Sequence, residues 1–195
     1  MFQSYGIAEG ASAAIVFNWD ILSFVPMMGL NIGIVSLIGR YIGANNMEKT
    51  NEVIAASFLI AIAYSSLLGI LFVVFRLPLV EIFLIEGADY KEIVSLATFM
   101  MVGLATYVMA DATILVAGGV LRGAGDTRWM MIVSVLIHWL MLIVQIVVIK
   151  VYEFGPKVSW VVFVIMILST AAIYLVRMLG QKWRDPEILK AVMAE

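Results

Sequence analysis

The sequence contains no cysteine and only one histidine, His138. Disulfide bonds and thiolate metal sites are therefore excluded, and so is a metal centre that needs several histidines. Charge is also scarce, since 13% of the 195 residues are charged, 64% are hydrophobic and the mean hydropathy is +1.07. This balance lies well outside that of a water-soluble domain. We therefore expect an integral membrane protein that has membrane lipids, and no nucleic acid, as partners.

Long uncharged segments divide the chain. A helix needs about 20 apolar residues to cross a bilayer, and four segments of about that length lack Asp, Glu, Lys and Arg: residues 21–39, 53–75, 129–149 and 158–176. A fifth segment, residues 93–121, is interrupted only by Asp111. We predict an all-α integral membrane bundle of five transmembrane helices over approximately residues 11–39, 53–75, 93–121, 129–150 and 158–177.

Basic residues are unequally divided between the two sides of such a bundle. Because consecutive spans alternate in direction, the connections after the first, third and fifth spans share one side, which carries eight Lys and Arg residues against four on the other. The positive-inside rule places the richer side and the C-terminus in the cytoplasm. Five spans then put the N-terminus outside, only about ten residues before the first span. We expect that one helix upstream has been lost.

Asp111 is the one acidic residue in the third span. It precedes Arg122 by eleven residues, roughly 16 Å of helix and about half the hydrocarbon thickness. A carboxylate at that depth costs at least about 2.5 to 3.5 kcal/mol, so it should face a protein interior or water and have partners. Tyr107, one turn earlier on the same face, is the first candidate partner. Thr106 and Thr113 are close enough in sequence to contribute.

A carboxylate in a low-dielectric site can exchange a proton for Na⁺. Low dielectric disfavours the charged form, whereas an arriving cation favours it, so the two ions compete for one group. This is the chemistry that a cation-driven antiporter requires. The alternative is a protonated Asp111 that only bonds to a neighbouring helix.

Four other polar residues lie within or beside the spans. Asp20 precedes Arg40 by 20 residues, roughly 30 Å of helix, so we expect it near the outer boundary, either solvated or facing the lumen with Asn18. His138 and Gln145 are seven residues apart, hence on one helix face, where a histidine either relays protons or serves as a hydrogen-bonded packing residue.

Several residues indicate where helices bend or end. Pro26 removes a backbone donor inside the first span and is expected to kink that helix. The first span should stop at Gly43, with two asparagines in the following turn. Residues 76–92 alternate apolar and charged side chains around Pro78, which favours a short helix at the outer interface. Tyr152 and Trp160 are expected in the outer aromatic belt.

Residues 122–128, RGAGDTR, form a glycine-rich stretch between the third and fourth spans. No strand precedes it and no Lys-Ser/Thr pair follows, so we interpret it as a tight cytoplasmic turn in which Asp126 or Thr127 caps the next helix. The stretch is also similar to the GxGD motif of intramembrane aspartyl proteases. That chemistry needs two carboxylates around one water, whereas Asp111 and Asp126 would be roughly 22 Å apart on a helix. No enzymatic activity is therefore expected.

Three stretches resemble the multidrug and toxic compound extrusion (MATE) transporters, most closely their NorM-like bacterial branch. The first, residues 26–46, has a mid-helix Pro26 and a closing G-x-x-x-G-A-x-N with Gly39 and Gly43. The second, residues 111–127, leads into L-R-G-x-x-D, which includes Arg122, Gly123 and Asp126. The third is RLPLVEIF, residues 76–83, similar to a short helix of the family.

The resemblance implies a partial C-terminal lobe over residues 1–195. Family members have twelve helices in two lobes, so the five spans would be helices eight to twelve, and the seventh helix and the N-terminal lobe would be missing partners. Asp111 matches the carboxylate that binds the coupling cation, with Tyr107 joining it, and Asp111 would be the Na⁺ ligand if Na⁺ is used. A second acidic partner would lie on the absent seventh helix. The fourth span also lacks the proline that the family often has after the tryptophan matching Trp139.

The sequence therefore predicts a piece of a cation-coupled antiporter that exports drugs and other amphipathic or cationic compounds across the bacterial inner membrane. The coupling ion is Na⁺ or H⁺, no cofactor is expected, and the fragment is not expected to transport alone. One alternative is a lipid-linked oligosaccharide flippase of the same superfamily, although no Lys or Arg lies inside a span. Another is a non-transporting membrane scaffold, whose spans would need no acid at the midplane.

Overall fold

A computed structural model describes residues 2–84, 89–180 and 182–184, and those residues form helices and turns. Among the described residues, five helices are long and apolar enough to cross a membrane, as predicted, and the chain is an integral membrane protein. The long helices are α1 (Ile7–Gly43), α2 (Met47–Val74), α4 (Tyr90–Gly123), α5 (Thr127–Ile146) and α6 (Pro156–Leu179). The short helix α3 (Arg76–Glu81) follows α2, a π-helical turn at Val147–Val151 extends α5, and 3₁₀ turns lie at Phe2–Ser4 and Lys182–Arg184.

Local chemistry explains several helix boundaries. α1 ends at Gly43, as expected, and the left-handed residue of the turn is Asn45, with φ of 52°. Asn46 caps α2, because its side-chain oxygen accepts a hydrogen bond of 3.0 Å from the Lys49 amide. α6 begins at Pro156, where the missing amide hydrogen costs nothing. α1 is continuous through Pro26, so the proline does not end the helix.

The central helix is α4, against which α1, α2, α3 and α6 all pack. Half of the most apolar stretch of α4 is buried, compared with 6% of that of α5. Large apolar side chains such as Leu59, Val74, Leu136 and Val176 instead point outward. Exposed apolar surface on this scale is unfavourable in water and natural for helices that face lipid tails.

α1 and α4 run parallel. The Ser12 hydroxyl lies 3.3 Å from the carbonyl oxygen of Ile93 near the start of both helices, the Asn31 amide donates to the Leu115 carbonyl farther along, and Gly39 lies beside the Gly123 carbonyl at their ends. Each contact that lies farther toward the C-terminal end of α1 also lies farther toward the C-terminal end of α4. This is the arrangement that alternating spans require of the first and third.

Two glycines on α4 allow the close approach of α1. A Cβ atom on Gly119 would lie 2.8 Å from the Asn31 amide nitrogen, and one on Gly123 would lie 2.8 Å from both Ile38 Cβ and the Val35 carbonyl oxygen. Small residues four apart are a common device for bringing two membrane helices together. Gly119 and Gly123 thus set the separation of the two helices that carry the acidic residues described below.

The predicted cytoplasmic connections lie at one end of the bundle. Arg184 donates to the side-chain oxygen of Asn51 at 2.9 Å, which joins the C-terminal turn to the start of α2. Arg177 pairs with Asp126 at 2.7 Å, which joins the end of α6 to the α4–α5 turn. At the opposite end the Tyr5 hydroxyl donates to the Phe154 carbonyl at 2.5 Å. The predicted segment 76–92 includes α3, but residues 85–88 lie outside the described part of the chain.

Candidate functional site

Two carboxylates and a phenol lie between α1 and the middle of α4. Asp111 lies one turn after Tyr107 on α4, and Asp20 on α1 faces both. The carboxylates are close enough for their charges to interact, and the Tyr107 hydroxyl lies within interaction range of the Asp20 carboxylate. Both aspartates are half-buried, whereas Tyr107 is fully buried. We call these three residues the carboxylate cluster.

The Tyr107 hydroxyl is the unsatisfied member of this cluster. It is directed toward Asp20 but does not reach the geometry of a formed hydrogen bond, and within the described ranges it has no partner. A buried polar group without a partner costs about 1 to 3 kcal/mol. A ligand that accepted from, or coordinated, this oxygen would relieve that cost.

Asp20 does not lie at the outer end of its helix. α1 continues beyond Asp20 as far as Ile7, and the carboxylate faces the middle of α4. Of the two expectations for Asp20, a solvated residue is not what the structure shows, because the side chain is half-buried beside α4. The alternative expectation, a polar group facing the interior, describes the residue as it stands.

An aromatic cage holds Tyr107 in place. Its ring packs edge to face against Trp160 and Phe163, with centroids 6.0 Å and 5.9 Å away. The Trp160 indole is itself fixed by a hydrogen bond of 3.1 Å to the Met100 carbonyl, and Gly103 leaves room for its ring. Trp160 is only 1% exposed, so its expected place in an outer aromatic belt is wrong. Tyr152 is exposed, and its ring stacks on Phe154.

Asp111 opens onto a cavity of about 360 Å³ between α1, α4, α5 and α6. Its wall is mostly apolar and aromatic, with Phe24 from α1, Met141 from α5, and Phe163 and Tyr174 from α6. A narrower cleft on the other side of Asp111 is lined by Ser23 and Tyr64 among others, and the Tyr64 hydroxyl donates to the Ser23 carbonyl at 3.0 Å. Asp111 therefore lies in a wall between two spaces.

His138 shares the larger cavity with Asp111. Its Nδ1 lies 2.7 Å from the Ser134 carbonyl, which leaves Nε2 as the atom free for another partner. Gln145 lies elsewhere: it is buried, its amide nitrogen donates to the Ser159 carbonyl at 3.1 Å, and its side-chain oxygen has no partner among the described residues. His138 and Gln145 therefore line different cavities.

Three other polar side chains bond to their own helices. The hydroxyls of Thr106 and Thr113 donate to the carbonyls of Val102 and Met109 at 3.0 Å and 2.9 Å. The Asn18 amide donates to the Ala14 carbonyl at 2.9 Å. Hydroxyls and amides in membrane helices commonly satisfy themselves in this way. None of these recorded hydrogen bonds reaches Asp20 or Asp111.

Asn31 is a polar contact between α1 and α4 that the sequence analysis did not single out. It is buried on α1, its amide donates to the Leu115 carbonyl, and its side-chain oxygen accepts a hydrogen bond of 2.8 Å from Arg122. Arg122 is thus tied to α1 at the end of α4. The available signal was an asparagine among apolar residues, about two helical turns before Gly39.

Asp126 precedes α5 at the N-cap position but its side chain does not cap the helix. The carboxylate instead accepts from Arg177 at 2.7 Å, and both side chains are less than one-fifth exposed. Arg177 also lies over the Trp129 ring, 5.1 Å from its centroid. The predicted capping role of the Asp126 side chain is therefore wrong, because a guanidinium from α6 offers the carboxylate a stronger partner.

The carboxylate cluster has the chemistry of a monovalent-cation site. Within residues 2–84, 89–180 and 182–184, no group of three or more His, Cys, Asp and Glu side chains could hold a metal ion. Two carboxylates and a phenol supply oxygen atoms, which suit a hard cation, and two acids in a low-dielectric site can also share a proton. No Lys or Arg of the described chain forms an ion pair with Asp20 or Asp111.

Comparison with known proteins gives concordant matches. The sequence model of the MatE family matches residues 1–149. The chain is 29% identical to a probable multidrug resistance protein NorM of Thermotoga maritima and 27% identical to a probable multidrug resistance protein NorM of Mannheimia succiniciproducens. Each match covers 97% of this chain and 41% of the relative. The chain therefore spans about two fifths of the length of these curated relatives.

Proposed function

Because this chain belongs to the MatE family of membrane transporters, we propose that it is the C-terminal lobe, short of one helix, of a cation-coupled exporter. α1, α2, α4, α5 and α6 then correspond to helices eight to twelve of the twelve-helix fold. The richer set of basic residues supports a C-terminus in the cytoplasm of a bacterium, with the start of α1 toward the outside.

The position of Asp111 carries this proposal. The residue lies in the middle of the most buried membrane helix, beside a fully buried tyrosine and at the wall of a cavity. An ionisable group inside a membrane helix is expensive and is retained where it binds ions or substrate. Asp111 and Tyr107 are therefore the proposed ligands of the coupling ion, Na⁺ or H⁺. Occupation of the site favours one of two orientations of the lobe, which requires that the ion bind the two orientations with different affinity.

The cavity beside Asp111 suits an amphipathic organic cation. Its volume of about 360 Å³ falls within the range of small-molecule sites, and aromatic rings such as those of Phe163 and Tyr174 attract cations over their faces. A carboxylate in the same wall supplies the opposite charge. The names of the two NorM relatives, which refer to multidrug resistance, support drugs as the substrates.

Transport requires more than this chain. The helices that would complete the second wall of the cleft correspond to the part of the relatives that the chain does not cover. The partners are therefore an N-terminal lobe and a seventh helix, and the chain alone is not expected to move substrate.

The test is efflux of a fluorescent organic cation from a bacterium that lacks its own pumps. The gene is expressed together with its upstream coding sequence, and the rate of efflux is measured with ²²Na⁺ and proton fluxes. Asp111→Asn is expected to abolish efflux and ion flux together, whereas Glu48→Gln, at the start of α2, is expected to leave both unchanged. Efflux that survives Asp111→Asn would show that Asp111 is not the coupling residue.

A further inference from the structure

The second carboxylate of the cluster comes from within the chain. The resemblance to the family implies an acidic partner for Asp111 on a helix upstream, and the structure instead brings Asp20 of α1 up to Asp111 and Tyr107. We propose that Asp20 is a ligand of the coupling cation, so that one hard monovalent ion, Na⁺ or a proton in its place, is held among Asp20, Tyr107 and Asp111. This inference rests on the proposed function, because it assigns a further ligand to the same site.

Packing places Asp20 there independently of its charge. One turn beyond Asp20, Ser23 lines the same narrow cleft as Asp111, and Phe24 lines both spaces beside Asp111. Ser23 donates its hydroxyl to the Asp20 carbonyl at 2.7 Å, and Tyr64 of α2 bonds to the Ser23 carbonyl. This stretch of α1 therefore lies beside Asp111 of α4 and is bonded to α2.

The Tyr107 hydroxyl is the second observation that points to a ligand. It is fully buried, unpartnered within the described residues, and directed toward the Asp20 carboxylate. An oxygen in that position can complete the coordination of a small cation between two carboxylates. Its ring cannot turn away, because Trp160 and Phe163 pack edge to face against it.

The charges also require an occupant. The charges of Asp20 and Asp111 interact, and two ionised carboxylates repel each other more strongly in a medium of low dielectric than in water. In the described part of the chain the recorded ion pairs use Lys49 with Glu52 and Arg177 with Asp126, so none neutralises the cluster. A bound cation or a shared proton supplies the missing positive charge.

The assignment gives the ion a mechanical connection to α1. Asp20 lies before Pro26, which has no amide hydrogen to donate to the carbonyl four residues earlier, so α1 lacks one backbone bond near that point. An occupied site attracts the first part of α1 to α4, whereas an empty, charged site repels it. Ion occupancy would then change the angle of α1 at its weakest point.

The experiment measures ²²Na⁺ binding at equilibrium by the purified chain in lipid nanodiscs. Asp20→Asn is expected to weaken binding by about tenfold or more, and Asp111→Asn is expected to abolish it. Asp20→Glu keeps a carboxylate and should bind more tightly than Asp20→Asn. Glu9→Gln removes an acid from the same helix away from the cluster and should match the unmodified protein. Circular dichroism and gel filtration check that each variant is folded.

A second arm uses infrared spectroscopy to follow the C=O stretching band of protonated carboxyl groups before and after Na⁺ is added. If Na⁺ does not bind but Asp20→Asn and Asp111→Asn each remove part of this band, the occupant is a proton and the assignment of Asp20 holds. If Asp20→Asn equals the unmodified protein in both arms while Asp111→Asn does not, Asp20 is not a ligand and the proposed function survives. If neither variant changes either arm, both proposals fail. Equal losses in Glu9→Gln and Asp20→Asn would also overturn the assignment.

Discussion

The substitution Gly123→Ala tests the packing that places α1 beside α4. A Cβ atom on Gly123 would lie 2.8 Å from Ile38 Cβ and 2.8 Å from the Val35 carbonyl oxygen. Neither atom is the flexible end of a side chain, so the helices must separate or rotate to admit the methyl group. Overpacking of this kind costs about 1 to 3 kcal/mol. We expect a destabilisation of that size.

The matched controls are two glycines of α1. Gly33 has nothing within 4 Å of a Cβ atom, and Gly39 would make an ordinary contact at 3.4 Å with the Gly123 carbonyl. Gly33→Ala should be neutral or stabilising by up to about 1 kcal/mol, because alanine has the higher helix propensity. Gly39→Ala should be close to neutral.

The assay is thermal unfolding of the purified chain in a mild detergent, followed by tryptophan fluorescence. The expected order of melting temperature is Gly33→Ala at or above the unmodified protein, then Gly39→Ala close to it, and Gly123→Ala clearly lowest. If Gly123→Ala melts with or above Gly33→Ala, the close contact between α1 and α4 is refuted. The placement of Asp20 beside Tyr107 would then lose its structural basis.

Two other substitutions test the cluster and the end of the bundle. Tyr107→Phe removes an unpartnered buried hydroxyl, so it should raise the melting temperature in Na⁺-free buffer and weaken ²²Na⁺ binding. Tyr41→Phe is the control. A lower melting temperature for Tyr107→Phe would show that the hydroxyl has a partner. Asp126→Asn should destabilise the chain by about 1 to 3 kcal/mol, because it leaves the largely buried Arg177 without its charged partner. Glu52→Gln removes an exposed ion pair and should have no measurable effect on stability. If Asp126→Asn and Glu52→Gln changed the stability equally, burial would not be what makes the Arg177–Asp126 pair important.

The sequence predicts the helices well because their signal is local. Uncharged segments of bilayer length mark each span, and residues such as Gly43, Asn46 and Pro156 mark boundaries through their own backbone preferences. The positions of Asp111 and Tyr107 on one face also follow from helical spacing. These inferences need no knowledge of which helix packs against which.

What the sequence could not predict depends on contacts between distant helices. A count from Arg40 gives the distance of Asp20 along α1, but it cannot say which helix its side chain faces. Trp160 has the position of a belt residue, but Gly103 leaves room for it beside Tyr107. Asp126 has the sequence context of a cap, but Arg177 on the last helix binds its side chain. Each error replaced a long-range partner with a local one.

The parallel pairing of α1 with α4 has a consequence for biosynthesis. The contact joins residues near Gly39 to residues near Gly123, and α2 and α3 are made between them. At about 5–20 residues per second, α1 waits on the order of several seconds before its partner leaves the ribosome. During that interval Asp20 and Asn31 belong to a helix whose partner α4 has not yet been made. Before α4 is made, the polar side chains of α1 lack the helix that would shield them from lipid. This is the form of α1 that an insertion factor or a membrane protease would meet first.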